Sequence, residues 1–103
     1  MVPDVYVKVT KTGGETLVAV CDEELLGKIL VDKDRALSFK VGESFYKGSK
    51  MELEDSLAYV KAASVANLVG SKIVEAAIDK QLVNPLAVVV IAGTPHAQVV
   101  KIR

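Results

Sequence analysis

The spacing of apolar residues changes along this chain, and each change marks an element. Val5, Val7 and Val9 alternate with Tyr6, Lys8 and Thr10, the two-residue period of a strand with one covered face. Thr12-Gly13-Gly14-Glu15 brings glycines that tolerate positive φ, and Thr16 to Val20 resumes the apolar run, so residues 4–21 read as a hairpin. Asp22 is placed to cap a single turn at Glu23-Glu24-Leu25-Leu26, with Gly27 as its stop. Ile29 to Val31 and Ala36 to Val41 are short strand segments on either side of the polar Asp32-Lys33-Asp34-Arg35.

Ser49-Lys50-Met51-Glu52 has the Ser-x-x-Glu spacing of a capping box and predicts a helix start. Leu53, Leu57, Val60, Lys61 and Ser64 share one face of that helix, and the pattern runs on through Asn67-Leu68-Val69 to a break at Gly70. Asn67 or Ser71 would cap a second helix with Ile73, Val74, Ala77 and Ile78 turned inward, ended by Asn84-Pro85. The last two apolar runs, residues 86–92 and 96–102, read as strands joined by a turn at Gly93-Thr94-Pro95. The first is apolar at every position and predicts a central strand covered on both faces; His96, Gln98 and Lys101 interrupt the second. Strands, then two helices, then strands give an α+β domain: a mostly antiparallel sheet with two main helices packed on it as a single pair of layers.

Composition narrows the function classes. At 103 residues the chain forms one domain, residues 1–103, with half of its residues hydrophobic and a core of Val, Leu, Ile and Ala. Only 5% of residues are aromatic and there is no Trp, so stacking surfaces for bases are scarce. Thirteen basic residues balance thirteen acidic ones, which gives no strong nucleic-acid signal and no bulk attraction to an anionic membrane. The single cysteine, Cys21, excludes an intramolecular disulfide and fits a reducing compartment. Leu86 to Ala92 falls far short of the roughly 20 residues a membrane helix needs, and no secretory signal opens the chain, so the expected location is the cytoplasm.

Candidate chemistry centres on His96, the only histidine and the one side chain that titrates near neutral pH. It lies beside the predicted turn at Pro95, and Gln98, two residues on, shares its strand face. His96 has the makings of a general base or a ligand contact, though a turn-stabilising histidine is the plainer role. Cys21 stands beside Asp22 and Glu23, which oppose thiolate formation, so it reads as a core cysteine. One His and one Cys make only half of a tetrahedral zinc site, and no metal or cofactor is expected. Gly42 to Lys50 departs from a phosphate-binding loop: five residues separate its glycines where the motif has four, and Ser precedes Lys. Within it, Glu43 and Tyr46 are candidates for a surface contact, with Phe45 and Tyr46 clustered in what reads as a loop, and core packing of one of the two rings is an equal alternative.

Several segments, in order, resemble the family of small archaeal proteins catalogued as domain of unknown function 424. These are Tyr6-Val7-Lys8-Val9 with Gly14-Glu15, then Ala19-Val20-Cys21-Asp22-Glu23-Glu24-Leu25-Leu26-Gly27, Glu43-Ser44-Phe45-Tyr46, Ala66-Asn67-Leu68-Val69-Gly70 and Gly93-Thr94-Pro95-His96-Ala97-Gln98. The resemblance implies a cytosolic, single-domain protein and no particular reaction. It places His96, Gln98, Asn67, Glu43 and Tyr46 within the family's recognisable segments.

With no complete catalytic set, the sequence favours a non-enzymatic binding module with a protein or ribonucleoprotein partner, translation-related in one version. Its binding residues would be His96, Gln98, Pro95, Asn67, Glu43 and Tyr46. The alternative is a small enzyme or metabolite-binding protein that uses His96 as an acid/base or ligand contact. An exposed sheet edge would also let two copies pair as a homodimer.

Overall fold

The alternating valines at the start of the chain do form a strand, and every later element is built against the hairpin they open. The computed structural model describes residues 3–101. Strand β1 (Val5–Thr12) turns at Gly13-Gly14 into β2 (Glu15–Asp22), and the two pair antiparallel along their whole length, from Val5 opposite Asp22 to Thr12 opposite Glu15. Among the described residues the main sheet has six strands, in the order β5 (Ser49–Met51), β1, β2, β6 (Val65–Val69), β8 (Thr94–Val100) and β7 (Val89–Ile91), and β2 with β6 is its parallel pair.

Helices α2 (Leu53–Ala62) and α3 (Ser71–Asp79) cover one face. Val5, Val7, Val18, Val20, Ala66 and Leu68 point from the strands into this side, where they meet Leu57, Val60, Ile73, Val74 and Ala77 of the helices. This alternation assigns the intervening residues of the same strands to the opposite face.

That second face is partly covered too, by a layer the residue pattern did not announce. β3 (Ile29–Asp32) and β4 (Leu37–Lys40) pair as a separate two-stranded sheet, followed by the one-turn helix α1 (Glu43–Tyr46). Leu30 and Phe39 are cross-strand partners, and with Val41 and Tyr46 they pack on Ala19, Cys21, Val69 and Ile91 of the main sheet. Ile29 and Val31, of opposite parity, face outward.

Four expectations are corrected. The Ser49 capping box does not form, because Ser49–Met51 is strand β5, paired with the edge of β1. The helix starts four residues later at Leu53, whose amide donates 2.8 Å to the carboxylate of the distant Asp4. It also stops at Ala62 and does not run on to Asn67. Ser64 bonds Thr16 of β2 through its own amide at 2.9 Å and through its hydroxyl, which accepts at 3.0 Å, and so draws the chain into β6 (Val65–Val69). A backbone ladder on both sides of β6 outweighs a local helical period that Val65, Asn67 and Val69 support only weakly.

The third correction concerns Asp22, which does not cap its own neighbours. Its buried carboxylate accepts from the Lys72 and Ile73 amides at 2.9 and 3.0 Å, so it caps α3 from fifty residues away. Gly70, read as the end of a helix, instead joins β6 to α3, and neither Asn67 nor Ser71 caps α3 through its side chain.

The fourth is that the run at residues 86–92 is not a central strand. Pro85–Ala87 forms a 3₁₀ turn capped by Asn84, whose side chain accepts from Leu86 at 2.9 Å, and Leu86 is 93% exposed. β7 (Val89–Ile91) is a short edge strand, and the interrupted run, β8 (Thr94–Val100), lies inside, between β6 and β7. The turn itself is Ala92-Gly93, both at positive φ, so Pro95 sits in β8 rather than in the turn.

A recognition groove on the half-covered sheet face

On the face opposite the helices, β8, β6, α1 and β4 each contribute side chains to one groove of about 390 Å³. β8 brings His96, β6 brings Asn67, α1 brings Phe45 and Tyr46, and β4 brings Phe39 and Lys40. His96 and Asn67 converge because Val69 pairs with His96 and Asn67 with Gln98, which puts all four on one sheet face in two neighbouring rows. Tyr46 is buried against the sheet, and Phe45 beside it stays 40% exposed.

The groove is walled by two aromatic pairs. Phe39 and His96 have ring centroids 5.0 Å apart at an interplanar angle of 57°, and Phe45 and Tyr46 meet edge to face at 4.9 Å and 74°. Thus three of the chain's five aromatic residues and its only histidine line one depression.

Burial lowers the pKa of the half-buried His96 imidazole, so the neutral ring prevails near pH 7. Among the described residues the ring makes no hydrogen bond, and neither nitrogen is sealed off from solvent. A neutral imidazole has one donor and one acceptor, and neither is taken up by another described residue. Asn67 adds a side-chain amide with the same dual capacity.

Depressed titration is directly measurable, since the protein has one histidine and its ring resonances need no assignment. NMR titration is expected to give a midpoint below the ordinary histidine value of about 6.5. Because the folded ring resists protonation, the stability it contributes is complete above about pH 6.5 and is lost as pH falls through the folded midpoint. A midpoint at or above 6.5 contradicts the burial described here.

The remaining sequence candidates divide. Glu43 lies one groove over, with Gly27, Lys40, Gly42 and Ser44, in a depression of about 430 Å³ that shares Lys40 and Gly42 with the first. Gln98 is exposed on the same sheet face as the cross-strand partner of Asn67, but does not line the groove. Pro95 has the opposite parity on β8 and lies outside the groove, where its carbonyl accepts the Gly70 amide at 2.9 Å.

Phe39, Lys40, Gly42 and Phe45 belong to the groove but are not among the candidate binding residues, although Phe45 stands in the aromatic cluster beside Tyr46. The signal for Phe39 was the apolar alternation of its strand, which shows that it turns inward without showing what it meets. Beneath the groove, burial and the neighbouring Asp22 push the Cys21 thiol up to about 12, so it packs as an apolar group rather than a nucleophile. Burial likewise holds the Tyr46 hydroxyl at about 12 and protonated. Among the described residues no three His, Cys, Asp or Glu side chains cluster as metal ligands, and no helix is long and apolar enough to cross a membrane.

Comparison with curated proteins returned no match. Among solved structures, an uncharacterized conserved protein from Methanopyrus kandleri is similar in fold, with a TM-score of 0.73 at 24% identity over 96% of this chain and 95% of that one. The sequence profile of a family described as protein of unknown function (DUF424) matches residues 10–102, nearly the whole chain, and the protein belongs to that family.

Proposed function

We propose that this protein is a non-enzymatic binding module of the cytoplasm, and that the groove around His96 is the surface with which it holds a protein or ribonucleoprotein partner. The observation that carries this reading is the lining of the groove: Phe39, Phe45 and Tyr46, the neutral imidazole of His96, the Asn67 amide and Lys40, with no Asp or Glu among them. An acid/base role for His96 needs an orienting partner, usually a carboxylate, and the groove offers none. Phe45 supplies an exposed aromatic anchor of the kind that dominates recognition surfaces. Pairing of two copies through a sheet edge has less support. β7 spans only three residues, and the Arg35 guanidinium already donates to the Val90 carbonyl.

The test is affinity capture from native cells with three baits: the wild-type chain, Phe45→Ala, and Tyr59→Ala, which removes an exposed aromatic on α2 instead. Partners retained by the wild type and by Tyr59→Ala but depleted at least fivefold by Phe45→Ala are the expected result. Equal recovery on all three baits rules out the groove as the recognition surface.

A further inference from the structure

The groove's lining and the second depression beside it at Lys40 narrow the partner further, on the assumption that the groove is the recognition surface. We infer that it holds an unpaired base of single-stranded RNA, stacked on the Phe45 and Phe39 rings, with the adjoining phosphate at Lys40. Four observations carry this.

The chain is poor in aromatic residues, yet three of its five line this one depression together with the histidine. Bases stack on such rings whatever their identity, because every base has a π-face. Phe45, 40% exposed, leaves ring surface free for that contact.

Asn67 and His96 place an amide and a neutral imidazole in the same groove, each able both to donate and to accept. The Watson–Crick edge of a base alternates donors and acceptors and is open only in a single strand. An apolar peptide side chain would leave both groups without partners.

Charge favours an anion at the mouth. The chain is neutral overall, but the one charged side chain lining the groove is the exposed Lys40, with no Asp or Glu beside it. Lys40 lines both this groove and its neighbour, and the Lys8 ammonium reaches the carbonyl of Ser44, which lines the neighbour. Glu43 is the one carboxylate there, so the phosphate path runs on the Lys40 side.

Length decides between a strand and a free nucleotide. The first groove, about 390 Å³, has room for one base and its sugar, and the second, about 430 Å³, lies beside it and shares Lys40 and Gly42 with it. Two neighbouring depressions with Lys40 between them suit two consecutive nucleotides.

The test is fluorescence anisotropy with end-labelled octauridylate and octaadenylate RNA, a duplex of the same length, and uridine and adenosine monophosphates as competitors. Single strands should bind with a dissociation constant of roughly 10⁻⁴–10⁻⁶ M at moderate salt. The duplex should bind more weakly, and the monophosphates should compete only in large excess. Phe45→Ala should weaken binding about five- to 150-fold, the range for loss of one stacked base. Lys40→Gln should flatten the dependence of log affinity on log salt by about 0.7, one phosphate contact. Circular-dichroism melting confirms that each variant is folded.

Duplex binding as tight as single-strand binding, or single-strand binding indifferent to Phe45→Ala, overturns the inference. Monophosphate binding as tight as the octamers overturns the strand and leaves a nucleotide pocket. If no RNA binds while capture from cells still depends on Phe45, the RNA assignment fails and the binding-module reading stands. If Phe45 matters in neither experiment, both fail.

Discussion

Gly70→Ala is expected to cost about 4 kcal/mol or more of stability, near the top of the range for single substitutions. Gly70 sits at φ 121°, ψ 149°, a region essentially open only to glycine, where a side chain alone costs about 1–3 kcal/mol. The new Cβ would also lie 2.2 Å from Asp22 Cγ and 2.4 Å from its Oδ2. That carboxylate has nowhere to retreat, since Asp22 is 1% exposed and already accepts the Lys72 and Ile73 amides. Displacing it leaves two helix N-terminal donors unpaired at a buried site, each worth about 1–3 kcal/mol. The Gly70 amide also ties β6 to β8 through the Pro95 carbonyl, so strain there spreads into the sheet.

Urea unfolding checks the prediction, through a fall in midpoint with unchanged slope. Asp22→Ala alone should cost about 2–3 kcal/mol. The double variant should cost less than the two singles together, because removing the carboxylate makes room for the new methyl group. A loss below about 1 kcal/mol for Gly70→Ala would mean that the β6–α3 junction is not built as described.

This junction also shows what the residue pattern could and could not convey. The opening hairpin was legible because valine alternation and a double-glycine turn agree, and the inward face of α3 was legible because Ile73, Val74 and Ala77 recur at helical spacing. Asp22 was identified as a capping residue, but local spacing cannot reveal that the cap serves a helix fifty residues on. β6 was hidden for a similar reason. Ala66, Asn67 and Leu68 fit a helix or a strand equally, and only partners distant in sequence, β2 and β8, decide between them.

For the run at 86–92, apolar content does not mean burial. Pro85 and its cap set an exposed turn first, and what remains is an edge. The groove was half legible: His96, Asn67 and Tyr46 were candidates singly, and the parity of β8 separated His96 from Pro95 as soon as the strand was placed. Their convergence with Phe39 depends on the β3–β4 hairpin folding back over the sheet, a tertiary event with no local signature.

Gly48→Ala is expected to cost about 3 kcal/mol and to disturb the groove at the same time. Unlike Gly70, Gly48 does not have a positive φ, and its constraint is contact. An added Cβ would fall 2.1 Å from the Val7 carbonyl oxygen and 2.8 Å from Lys8 Cα, both backbone atoms of β1 that cannot swing aside. The residue stands where the chain leaves α1 on one face of the sheet, passes the β1 edge as β5, and enters α2 on the other. Pushing that crossing outward strains the β5–β1 pairing and moves α1, which carries Phe45 and Tyr46. The effect should therefore be polarised. Amide resonances of Asn67 and His96 should shift and single-stranded RNA affinity should fall, while the α3 amides stay in place. Gly42→Ala is the matched control: Gly42 lines the same groove, but a Cβ there meets nothing within 4 Å, so its cost should stay within about 0.5 kcal/mol. Equal costs for the two alanines would mean that β5 does not hold α1 against the sheet, and the groove would then need another support.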